Sequence, residues 1–384
     1  MTTGSRGGSS AHVREVAMLF AKLGVIGFGG PAAHVALMRE EVVRRRGWLD
    51  DTEFLDHVAA TNLIPGPNST ELAIHIGQRR GGARGLLVGG VCFIAPAVVI
   101  VSALAWLYET HGTDPVVFDL RYGILPVIIA IIAHAVHGLG RAALDSPASV
   151  MIAGGAVVAY LVGVHELAIL GAAGALTAAW SQRHRVAMGG PGLAAILIPS
   201  GVADQAAASQ PVSLPRIFFV FLEVGSVLYG SGYVLLAFLQ RHLVDGYGWL
   251  TSQQLLDAVA VGQVTPGPVF TTATFIGWQL AGPVGAAVAT VGIFLPSFAF
   301  VALLRRIVPW MRARPAARTF LDGLTAASLG LMAAVAITLA DAAIVDVVTG
   351  VLAAAALAAL IGSRLSPTWL VAVGAGIGMV HAIA

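Results

Sequence analysis

Pro65-Gly66-Pro67-Asn68-Ser69-Thr70-Glu71 and Pro266-Gly267-Pro268-Val269-Phe270-Thr271-Thr272 stand 201 positions apart in an otherwise apolar sequence. Two prolines around a glycine cannot continue a helix: they remove amide donors and strain the turn before them. Each run therefore predicts two half-helices joined at an unwound point, within segments 52–78 and 252–279.

The matches extend outward from these breaks in one order. Phe20 pairs with Phe221, Gly24 with Gly225, Gly47-Trp48-Leu49 with Gly248-Trp249-Leu250, and Leu55-Asp56 with Leu256-Asp257. Gln78 and Gly81 pair with Gln279 and Gly282; one register later, Gly85 and Pro96 pair with Gly285 and Pro296. The chain reads as two copies of one helical unit, an arrangement common among secondary transporters.

Composition says where these copies sit. Of 384 residues, 57% are hydrophobic and 11% charged, against about 25% charged in soluble domains. Only helices and closed barrels span a bilayer, and the long unbroken apolar runs favour helices over the alternation of barrel strands. About ten spans are predicted: 13–29, 83–107, 116–139, 147–163, 166–180, 214–239, 283–304, 319–339, 343–361 and 367–383. The expected fold is an all-α polytopic membrane protein with two broken hairpins besides those spans. Residues 1–12 read as a disordered tail, 13–180 and 214–384 as the membrane repeats, and 181–213 as a cytoplasmic linker.

Charge placement orients the copies. Cytoplasmic loops carry excess arginine. Arg39 to Arg46, Arg79, Arg80 and Arg84 precede span 83–107, whereas Arg305, Arg306, Arg312, Arg314 and Arg318 follow the equivalent span 283–304. The equivalent spans are thus expected to cross in opposite directions, as an inverted-topology repeat with both termini outside. Trp48 and Trp249 read as interfacial anchors. A formal net charge of +2 gives no reason to expect nucleic acid, and the lone Cys92 makes neither an intrachain disulfide nor a multi-cysteine metal site. With no metal-ligand spacing and no cofactor or ATPase fingerprint, neither an enzyme nor a metal or cofactor is predicted.

Irregular backbone at membrane depth is tolerated only where it lines protein or water, so the paired breaks mark the candidate site. A helix starting after each break offers free amides and a partial positive charge, which suits a tetrahedral oxyanion. The predicted binding residues are Gly29, Gly30, His34, Gly66, Asn68, Ser69, Thr70, Gly230, Gly232, Gln263, Gly267, Thr271 and Thr272. Glu71 has no acidic counterpart in the second copy, and with His34 is the candidate proton carrier; a first-turn acid favoured by the helix dipole is the plainer reading. His57 and His75 lie in the same region.

Phe28-Gly29-Gly30-Pro31-x-x-His34, Gly47-Trp48-Leu49 and Pro65-Gly66-Pro67-Asn68 resemble the N-terminal half of the chromate ion transporter family. Gly230-Ser231-Gly232-Tyr233, the run from Gly262 to Thr272, and Phe294-Leu295-Pro296-Ser297-Phe298 resemble its C-terminal half. The resemblance implies a bacterial inner-membrane protein that exports chromate, driven by the membrane potential or proton gradient. Sulfate, with chromate's shape and charge, or another oxyanion is the alternative cargo, and a passive anion channel the alternative class. Lipid is the other expected partner, and a homodimer is one arrangement left open.

Overall fold

A computed structural model of the chain describes residues 6–28, 30–112, 114–186, 211–228, 235–312, 314–363, 365 and 367–381. Among them every regular element is helical. The first copy comprises α1 (Arg6–Ile26), α2 (Gly30–Arg39), a π-helical segment (Glu40–Arg45), α3 (Asp51–Thr61), α4 (Asn68–His111), α5 (Pro115–Ala143), α6 (Pro147–Leu161) and α7 (Glu166–Val186). The second repeats the order: α8 (Leu214–Val227), α9 (Leu235–Leu239), a π-helical segment (Gln240–Gly246), α10 (Ser252–Val264), a 3-10 turn (Val269–Thr271), α11 (Thr272–Arg312), α12 (Pro315–Ala343), α13 (Val347–Gly362) and α14 (Pro367–His381).

Helix α1 begins at Arg6, inside the stretch read as a tail, and α7 runs six residues into the stretch read as a linker. The rest of that linker, 187–210, lies outside the described residues. The single span expected over 214–239 is instead two helices, α8 and α9, with Leu228 already extended. Four stretches are long and apolar enough to cross a bilayer: Asn68–His111, Phe118–Arg141, Val269–Leu304 and Ala316–Ala343. Four other expected spans form shorter apolar helices. At about 1.5 Å per residue, 16 residues reach roughly 24 Å, short of a 30 Å hydrocarbon core.

Each long helix α4 and α11 is a hairpin in itself. Gly82 (φ 63°, ψ −149°) and Gly282 (φ 60°, ψ −153°) occupy a region open essentially to glycine, and the chain reverses there. A Cβ on Gly77 would strike the Gly85 carbonyl, and one on Gly277 the Gly285 carbonyl. Two glycines facing one another let the arms close to backbone contact. The structure thereby matches Gly82, not Gly81, to Gly282. The register slip falls between the breaks and Gly77, where the first copy holds one residue more.

Segments α3 and α10 start with the same device, a capping box: Asp50 with Glu53, and Thr251 with Gln254. In the first copy α3 and the first arm of α4 run antiparallel. Arg79 lies 3.8 Å from Glu53 at the base, His57 stacks on His75 at 4.3 Å, and Asn68 donates to Asn62 at 2.7 Å near the tip. The break Pro65-Gly66-Pro67 is that tip. The remaining helices interlock across copies: α5 packs on α13 and α14, and α12 on α6 and α7. Small residues permit it, since Gly123 faces the backbone of Gly374 and Gly378, and Gly323 that of Ala173.

Candidate functional site

The first copy has a second hairpin. Helix α1 ends at Ile26, the backbone breaks at Gly27-Phe28, and α2 starts at Gly30 with φ 78°. The chain returns alongside α1, with Lys22 held 2.6 Å from buried Glu41. Two tips of the first copy, α1/α2 and α3/α4, are therefore available to meet the other copy.

They meet reciprocally. The Gly66 amide donates to the Leu228 carbonyl at 2.7 Å, and the Gly267 amide donates to the Gly27 carbonyl at 2.8 Å. Gly27 and Leu228 are themselves 201 positions apart. Each Pro-Gly-Pro break is thus latched to the broken first helix of the opposite copy, and the two latches are related by the duplication. The positive φ of Gly66 (134°) and Gly267 (94°) aims each amide away from its own helix. The amides of Gly66 and Gly267, both predicted binding residues, are in this state spent on the latches.

His34 reinforces one latch. Gly27's carbonyl can only accept, so the 2.8 Å contact assigns the proton to His34 Nε2. Nδ1 then accepts from the Ser69 hydroxyl at 3.2 Å. His34 is 2% exposed and packs edge-on to Phe93; losing it leaves the Ser69 hydroxyl unpaired, at about 1–3 kcal/mol, takes one of two bonds from the Gly27 carbonyl and opens a cavity. His34→Ala is therefore expected to lower the thermal unfolding midpoint in detergent far more than Ser69→Ala, which breaks only the longer bond. Equal losses would show that the Gly27 contact contributes nothing.

Around Gly66 the polar groups have no partners. Thr70, Glu71 and Ser297 are each 0% exposed. The Thr70 Oγ1, both Glu71 carboxylate oxygens and the Ser297 Oγ lack a hydrogen-bond partner among the described residues. A Cβ built on Gly66 would overlap the Glu71 carboxylate and lie 2.8 Å from Ser297 Oγ, so Glu71 and Ser297 crowd the Gly66 backbone together, with Thr70 next to Glu71 in sequence. Glu71 and Ser297 face each other there without the geometry of a regular hydrogen bond. Glu71 also makes no ion pair among the described residues. Buried polar atoms left open in this way call for a ligand, water or proton.

The structure thus gathers His34, Gly66, Ser69, Thr70 and Glu71, with Gly267 joined through the Gly27 carbonyl that it shares with His34; a Cβ built on Gly267 would lie 2.7 Å from Ala97 Cβ. Ser297 was not singled out from sequence; its signal is a hydroxyl after Pro296 where the first copy has Ala97 after Pro96. Thr271 and Thr272 are drawn in but their hydroxyls turn back to Pro268 and Val269, each at 2.8 Å. Asn68 bonds within its own hairpin. Gln263 lies half-buried in the last turn of α10, and Gly30 caps α2 with open space around it. Gly29, Gly230 and Gly232 lie outside the described residues.

A helical, apolar protein with four bilayer-length stretches and unpartnered polar groups where paired helix breaks meet is a multi-pass membrane transporter. Its two halves each match the same family, the chromate transporters, at residues 14–178 and again at 215–379. The chain belongs to the chromate transporter family. It is 34% identical over 373 residues to a chromate transport protein of Cupriavidus metallidurans, covering 96% of this chain and 93% of the relative. It is 32% identical over 332 residues to a chromate transport protein of Pseudomonas aeruginosa, 84% of this chain and 80% of that one. An uncharacterized transporter of Bacillus subtilis is 29% identical over 140 residues, 36% of this chain but 79% of the relative, the proportion of a half-length unit. No solved structure matches.

Proposed function

We propose that this protein is a secondary active transporter that exports chromate across the bacterial inner membrane by alternating access. The observation that carries it is the set of buried, unpartnered groups of Thr70, Glu71 and Ser297 at the Gly66 break, where it is latched to the other copy. The names of the Cupriavidus and Pseudomonas relatives supply the cargo. Arginine placement supplies the inverted arrangement, and the shared cluster of Leu86 with Val301 and Leu304, beside Phe298 against Gly90, fits long arms running antiparallel.

In this reading the oxyanion enters between the tips and takes hydroxyl donors from Thr70 and Ser297. Opening one latch frees a glycine amide as a further donor, at a helix start whose dipole favours negative charge. Opening the Gly66–Leu228 latch exposes the cluster to one side; opening the Gly267–Gly27 latch exposes it to the other. Glu71 carries the proton that accompanies the anion.

Everted membrane vesicles test this directly. Vesicles containing the protein are expected to accumulate chromate saturably, more so under an imposed pH gradient that is acid outside the vesicle, since proton and anion enter together, and excess sulfate should compete. Uptake equal to that of vesicles lacking the protein removes the proposal, and non-saturating uptake without counterflow replaces it with a channel.

A further inference from the structure

Away from the tips, the turn between α6 and α7 meets the second copy at a cluster that no part of the transport reading uses. Glu166 opens α7 with a side chain 0% exposed. His165 Nδ1 lies 3.8 Å from its Oε2, and His242 Nδ1, from the π-helical segment after α9, lies 3.2 Å from its Oε1. One ligand atom from each residue falls within 4.8 Å of the others. Both Glu166 oxygens nevertheless lack a hydrogen bond, because the His242 Nδ1 proton points to the Phe238 carbonyl at 3.0 Å.

We propose that His165, Glu166 and His242 form a site for a divalent transition metal of the zinc class, joining the two copies. Two imidazoles and a carboxylate are a common zinc donor set, and bonds of about 2.0–2.1 Å place tetrahedral ligand atoms about 3.3 Å apart. The 3.2 Å from His242 Nδ1 to Glu166 Oε1 matches that edge; His165 Nδ1 lies 3.8 Å from the other carboxylate oxygen, and the three ligand atoms, all within 4.8 Å, close by roughly 1 Å on an ion. Behind His242, its Nε2 faces Glu223 Oε1 at 3.8 Å, the carboxylate that orients a metal-bound imidazole from the far side.

The local charge agrees. Arg241 Nε sits 3.6 Å from Glu166, but the guanidinium is anchored on the Gly163 carbonyl and over the Tyr160 ring. Glu166, Glu223 and Asp245 stand against that one cation, so a divalent ion brings the cluster towards neutrality. The side chain of His165 is 33% exposed and leaves an entry path. Binding needs a bare Nδ1, so the His242 proton shifts from Nδ1, where it faces Phe238, to Nε2, where Glu223 accepts it. The first copy offers an internal contrast. Its counterparts of Glu223 and His242, Lys22 and Glu41, close on one another as an ion pair and leave no donor set.

The full-length protein, purified in detergent and stripped with chelator, should be titrated with Zn2+ alone by calorimetry and with Co2+ by visible absorption. One ion per chain is expected, with the intense d–d bands of a four- or five-coordinate cobalt and a raised unfolding midpoint. Affinity should fall at least about tenfold in His165→Gln and His242→Gln, and by about tenfold in Glu223→Gln. Should His242→Gln misfold, His165→Gln decides, being partly exposed. Equal Zn2+ affinity in wild type and His165→Gln, or no binding by wild type, overturns the site.

Discussion

Gly66→Ala is expected to reduce chromate flux in vesicles at least about tenfold while the protein still inserts. Two costs fall on one methyl group. The backbone at φ 134° is a conformation that L side chains rarely adopt, with strain of order 1–3 kcal/mol. The new Cβ also overlaps the Glu71 carboxylate and stands 2.8 Å from Ser297 Oγ, and overpacking of this kind costs about 1–3 kcal/mol. Relief comes by moving Glu71, separating the arms or breaking the bond from the Gly66 amide to Leu228, and each damages the proposed site. Gly248→Ala helps separate the two costs, because its φ of 63° is also positive, though milder for alanine than 134°, and nothing lies within 4 Å. That variant should lose some thermal stability and keep its flux. Wild-type transport by Gly66→Ala would mean that the anion passes elsewhere.

The breaks and the duplication were legible because both rest on backbone chemistry that particular residues enforce. Proline removes a donor wherever it stands, and Gly, Pro and Trp at fixed spacings survive as a pattern when apolar residues interchange. The capping boxes at Asp50 and Thr251 were likewise open to reading, since their acceptors sit three residues away. The latches were not, because a bond from the Gly267 amide to the Gly27 carbonyl has no side chain to announce it. Thr271 and Thr272 misled for a related reason. A hydroxyl at a helix start has a carbonyl three residues back within reach, and in the second copy both took it in preference to facing the junction. Ser297 and the His165–Glu166–His242 cluster depend on packing between copies, which sequence spacing does not encode.

Glu71→Gln is expected to make chromate movement indifferent to the pH gradient. Glu71 is 0% exposed and makes no hydrogen bond or ion pair among the described residues. A bare charge in that setting carries a desolvation penalty of several kcal/mol. An arriving dianion adds repulsion on the order of 4 kcal/mol for each of its unit charges at 4 Å and an effective dielectric near 20. The anion and an ionised Glu71 therefore exclude one another, and a proton on the carboxyl is what lets the anion stay. The sign follows: chromate binding to the wild type should weaken as pH rises and Glu71 loses its proton. Glutamine keeps the shape and the neutral charge but cannot release a proton. The variant should bind chromate with nearly flat pH dependence and carry it only down its own electrochemical gradient. His75 lies four residues on, one turn along the same helix face, and stacks on His57 towards the hairpin base. Chromate binding to purified protein over a pH series, together with vesicle flux with and without an imposed gradient, measures both halves of the expectation. An undiminished response to the gradient in Glu71→Gln would assign the coupling to another residue, with His34 as the next to replace.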